Sequence, residues 1–126
     1  MRASDMAMLH RTTYSDFAAL GFWLCLAGAM TLALLPHPPH LIAVGDKVQH
    51  MLAFGALALL GHFAFPRMPM VQLGARLSFL GALVEVLQAI PALHRDCDIR
   101  DWIAGTVAIA AVLAALHLLR LARTRA

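Results

Sequence analysis

The chain has 126 residues, 61% of them apolar and 13% charged, with a formal net charge of +3. That length suits one domain, and its apolar share lies well above the roughly 45–50% of ordinary soluble domains. The basic residues gather at the ends of apolar runs without interleaved aromatics, which argues against nucleic-acid binding and for solvated membrane flanks.

Four apolar blocks follow one another. Residues 17–35, FAALGFWLCLAGAMTLALL, run 19 positions without a charge. At about 1.5 Å per residue they nearly cross a hydrocarbon layer of about 30 Å. The triplet Ala27–Ala29 resembles a signal-peptidase site. The apolar run continues to Leu35, however, and Asp5 and Asp16 dilute the basic leader, so the segment reads as a retained helix. A second block covers 48–65 and stops at Pro66. The third, Met70–Ile90, is bracketed by Pro69 and Pro91, and the fourth runs from Trp102 to Leu119. Period-two alternation is absent from all four, which excludes a membrane barrel. The expected fold is all-α, a four-transmembrane-helix bundle with short loops. Its helices fall near 17–35, 47–65, 70–90 and 101–120 in a single domain spanning 1–126.

The loops assign orientation. PRMP makes a tight hairpin between helices two and three, PHPPHLIAVGD joins one to two, and PALHRDCDIR joins three to four. Arg2, Arg11, Arg67, Arg76, Arg120, Arg123 and Arg125 belong to the side that holds both termini, and Lys47, Arg95 and Arg100 to the other. Seven against three places both termini in the cytoplasm and turns the segment HRDCDIRD outward. Ala104, Ala108, Ala111 and Ala115 form a small-residue stripe on the fourth helix, with Gly74 and Gly81 a weaker one on the third; such stripes let helices approach closely in lipid. Tyr14 and Trp102 fall at interfacial depth. Cys25 lies mid-block and Cys97 in a loop, too far apart to pair.

Charges inside the apolar blocks carry the functional signal, because a lipid-facing charge costs about 2.5–3.5 kcal/mol or more. Glu85 is the clearest, with Gln88 three positions on and sharing its face. Asp46, Lys47 and His50 open the second helix. Asp98 and Asp101 stand three apart before the fourth, where Asp101 is placed to cap it. Folded into four spans, these residues and Arg95 come within about 10 Å of one membrane face.

The order DKVQH, then E..Q and P, then R..D..D opening a last helix resembles the VanZ-like membrane protein family over residues 43–112. The family is named for a protein associated with low-level teicoplanin resistance. Its typical polar positions fall here on Asp46, Lys47, His50, Glu85, Gln88, Arg95, Asp98 and Asp101. The family often continues with Ala-Asn and a glycine. Here DWIAGTVA puts Gly105 where asparagine is usual and Ala108 where glycine is usual, so no asparagine amide is present. The resemblance implies an envelope-related role in a bacterial inner membrane and defines no reaction.

Three readings follow. In the first, the cluster recognises an anionic envelope-lipid head group or a cell-wall precursor through Lys47, His50 and Arg95, with Glu85 holding the cations. In the second, His50 and Glu85 act as general acid and base on a lipid head group, or His50 and the carboxylates hold a divalent metal. In the third, the charges only tie the helices together. The pattern defines no metal site of its own and calls for no cofactor. Membrane lipids are the expected partners, nucleic acid is not, and a homo-oligomer is left open. His37 and His40 in PHPPH lack further ligands nearby, and Cys97 beside His94 reads as an incidental loop thiol.

Overall fold

A computed structural model describes residues 2–37 and 44–126. It contains α1 (Ala3–Leu34), α2 (Asp46–Ala64), α3 (Met70–Gln88) and α4 (Ile99–Arg125), with a 3-10 turn at Pro91–Leu93. Among the described residues the secondary structure is entirely helical. Helices α1, α3 and α4 are long and apolar enough to cross a membrane, and α2 is not among them. The reason lies in its opening turns: Asp46, Lys47, Gln49 and His50 leave only Met51–Ala64 apolar, about 21 Å of helix. Of the four expected spans, four are helices and three have the length and apolarity to cross a membrane.

Helix α2 is nonetheless as enclosed as α3, burying His50, Phe54, Leu57, Ala58, Gly61 and Ala64. It packs against α1 on one side and α4 on the other, and α3 touches all three. The outer surface is apolar: Val71, Phe79 and Phe17 are 85%, 73% and 70% exposed. Such a surface in water would mark a sticky patch, whereas lipid tails solvate it.

Two helix starts differ from the sequence expectation. Helix α1 begins at Ala3, not near residue 17, because Asp5 accepts a hydrogen bond from the Arg2 backbone amide at 3.1 Å and the intervening segment continues as helix. Its 32 residues span about 48 Å, so its first turns extend beyond any hydrocarbon layer. Helix α4 begins at Ile99, and its cap is Asp98, not Asp101. The Asp98 carboxylate accepts from the Arg100 amide at 2.9 Å, and Asp101 already lies in the first turn.

The close approaches come from glycines more than alanines. A β-carbon on Gly74 would stand 3.1 Å from Leu113, and one on Gly81 would stand 3.3 Å from Trp102. The packed face of α4 is Gly105, Ile109 and Leu113, while Ala111 and Ala115 of the expected stripe are exposed. Trp102 turns inward: its indole N–H donates to the Ser78 carbonyl at 2.9 Å, and the Ser78 and Thr106 hydroxyls bond at 2.9 Å beside it. Polar contacts of this kind between membrane helices contribute roughly 0.6 kcal/mol each.

Candidate functional site

The first turns of α2 carry His50 inward. Its Nδ1 lies 3.1 Å from the Asp46 carbonyl one turn earlier. A carbonyl can only accept, so Nδ1 is the donor in this contact. Nε2 points toward Glu85 of α3, 3.4 Å from Oε1, and both side chains are buried. It is the only contact among the described residues between a basic and an acidic side chain, and it is an ion pair only when the histidine is protonated. The approach is close without hydrogen-bond alignment, and Oε1 is enclosed with no hydrogen-bond partner. The other carboxylate oxygen, Oε2, accepts the backbone amide of Asp98 at 3.0 Å. Thus the loop HRDCDIRD covers the buried acid with a main-chain N–H, not with one of its cations.

The remaining predicted residues divide into three groups. Asp101 is half-buried, with its carboxyl inside the electrostatic reach of His50, Asp98, Asp46 and Lys47. Lys47 and Asp46 are exposed at the same end, and Arg95 is half-buried above α2. Gln88 is only 1% exposed and bonds elsewhere: its amide donates to the Ala33 carbonyl at 2.9 Å, tying α3 to the last turn of α1. Asp98 spends its carboxylate on the cap of α4. Glu85 and His50 therefore make the buried core of the cluster, with Asp101 half-buried near them. Lys47, Asp46 and Arg95 form its mouth, and Gln88 and Asp98 serve as ties.

A cavity of about 90 Å³ opens beside the cluster. Its polar end is made by Asp46, Gln49, His50 and Arg95, and its walls by apolar side chains of α1, α2 and α3, among them Met30, Ala53, Leu57 and Val84. A single water needs only about 10–15 Å³ on this measure, so the slot takes a short run of chain atoms. Gln49 also closes the start of α2, donating to the Val44 carbonyl at 3.0 Å.

Phe54, which sequence reading passed over, supports the site from below. Its ring lies nearly parallel to His50, centroids 6.3 Å apart, and fills the space over Gly81 and Gly105. A β-carbon at Gly105 would meet the Phe54 ring at 3.2 Å, so Phe54 occupies the room beside position 105. The only sequence signal was a phenylalanine one turn after a polar histidine.

Among the described residues no three histidine, cysteine or acidic side chains are placed to hold a metal ion. His37 stacks on His94, centroids 6.3 Å apart, while His40 lies outside the described residues. The fold and site together define a small all-helical chain with membrane-length helices and a buried acid–histidine pair at one end. No family model, curated protein or solved structure matches the chain.

Proposed function

We propose that this is a VanZ-like inner-membrane protein of four spans, termini in the cytoplasm, that binds an anionic envelope lipid or cell-wall precursor at its outward polar end. The observation that carries the reading is the slot, which has apolar walls for a chain and a polar end where His50, Gln49 and Arg95 meet a head group beside the single carboxylate of Asp46. Exposed Lys47 adds a second cation at the mouth. Seated among α1, α3 and α4, α2 shares their layer, with its polar first turn at the membrane face. The basic asymmetry of seven against three supports the orientation.

A second reading is favoured by one specific feature, the unpartnered Glu85 Oε1 beside His50 Nε2. With Nδ1 committed to the Asp46 carbonyl, a single proton placed between Nε2 and Oε1 makes the pair a poised acid and base. A purely structural role draws less support, because Lys47, Arg95 and Asp101 form no ion pair among the described residues.

Replacement of mouth charges separates these roles. Lys47→Met and Arg95→Gln should abolish the envelope phenotype, read as glycopeptide susceptibility of the host, while protein level and melting temperature stay near wild type. A joint fall of stability and phenotype would favour the structural role instead. Glu85→Gln that retains ligand yet stops its turnover would establish the acid–base reading.

A further inference from the structure

The end of the molecule opposite the acid–histidine pair carries a second recess, of about 1300 Å³. Helix length creates it. Helices α2 and α3 have 19 residues each and meet in the hairpin at 65–69, whereas α1 and α4 have 32 and 27 and extend past that hairpin. The hairpin is therefore a floor, and the protruding turns of α1 and α4 are walls.

Four arginines from three elements line the recess: Arg11 of α1, Arg67 of the hairpin, and Arg120 and Arg123 of α4. No aspartate or glutamate lines it, and none of the four is ion-paired among the described residues. Like charges lining one recess repel one another, and a polyanion between them supplies the opposite sign. The lining also includes Phe63, Phe65 and Met68 at the level where the apolar spans end. A guanidinium offers five N–H donors in a fork that matches phosphate oxygens, and the Gln72 amide adds a neutral donor, while the Thr12 and Ser15 hydroxyls donate to the Met8 and Thr12 carbonyls of their own helix.

We infer that this recess binds the phosphate head group of an anionic glycerophospholipid from the leaflet on the termini side, with the lipid's chains against the apolar helix surface. The charge complementarity fixes the head group as multiply anionic, and the apolar rim at span depth favours a lipid over a soluble anion. The site is separate from the slot, at the other end of the bundle.

The test reconstitutes the protein in phosphatidylcholine nanodiscs containing cardiolipin, a lipid with two phosphates, and counts the lipid retained after extraction by mass spectrometry. Wild type should retain cardiolipin over phosphatidylcholine, and less of it as salt rises. Arg67→Gln and Arg120→Gln should each weaken retention about fivefold, the share of one basic residue near an anionic surface. Lysine at the same positions should keep most of it, which separates lost charge from lost fold. Arg125→Gln, on the same side outside the recess, should match wild type. Equal cardiolipin retention by wild type and the Arg67→Gln/Arg120→Gln pair overturns the inference, and so does an equal loss in Arg125→Gln. Inorganic pyrophosphate binding the detergent-solubilised protein as tightly as cardiolipin does also overturns it, since the site would then serve a soluble anion.

Discussion

Glu85 shows how one residue organises its surroundings: one oxygen takes the Asp98 amide, and the other waits beside His50. Its influence reaches Cys97, whose exposed thiol is pushed above the usual cysteine value. Partial desolvation is the main cause, followed by the nearby charges of Glu85 and Asp98. Only the thiolate reacts with maleimide, so a raised value means slower labelling near neutral pH and a rate profile displaced to higher pH. Glu85→Gln removes one of the raising charges and should move the profile back down, speeding neutral labelling. Identical profiles in the two proteins would show that Glu85 does not act on the thiol. A second prediction concerns Gly105. Alanine there meets the Phe54 ring at 3.2 Å, with Phe54 confined by Gly81 and His50. Overpacking costs about 1–3 kcal/mol against about 1 kcal/mol gained in helix propensity, so a net loss is expected. Gly28 has nothing within 4 Å of the added carbon, and Gly28→Ala should be neutral or stabilising. Equal unfolding midpoints for the two variants would contradict the packing described.

At the scale of elements, ends are set by short contacts, and these are what hydropathy reads poorly. Prolines at 66, 69 and 91 made the hairpin and the end of α3 legible within two residues. The start of α1 was hidden because its outer turns are polar and exposed, so no apolar period marks them. The cap of α4 was misread because Asp98 and Asp101 both suit a cap, and the choice depends on Asp98 adopting extended backbone at φ −129°. Asp98→Ala should therefore cost about 1 kcal/mol and raise amide exchange in the first turn of α4, while Asp101→Ala leaves that turn protected. The reverse ranking would restore Asp101 as the cap. Gln88 carries a similar argument. Its amide satisfies the Ala33 carbonyl, one of the last four of α1, so Gln88→Leu should lower stability by about 1–3 kcal/mol. Indifference to that change, measured by unfolding in detergent, would mean that water satisfies the carbonyl instead.

At the scale of the whole molecule, the chain places chemistry at both ends of a greasy middle. Glu85 and His50 were readable from sequence because charge inside an apolar run is expensive and two opposite signs recur at matching depth. The slot was not readable, since it depends on how α1, α2 and α3 rotate about their axes, and a near-uniform apolar sequence leaves rotation unmarked. The same uniformity hid the true face of α4, where Gly105, Ile109 and Leu113 pack in place of the alanine stripe. The central claim is that the slot holds the chain of an anionic amphiphile beneath its polar mouth. Lipid mass spectrometry of the protein extracted gently from native membrane, wild type beside Ala53→Phe, tests it most directly. Ala53 is a half-buried slot wall, and a phenyl ring there occupies the space a ligand chain needs. The account predicts an anionic amphiphile retained by wild type, lost from Ala53→Phe and from Arg95→Gln, and kept by Arg67→Gln for any species not bound in the recess. The same amphiphile retained at the same level by wild type and Ala53→Phe would contradict it.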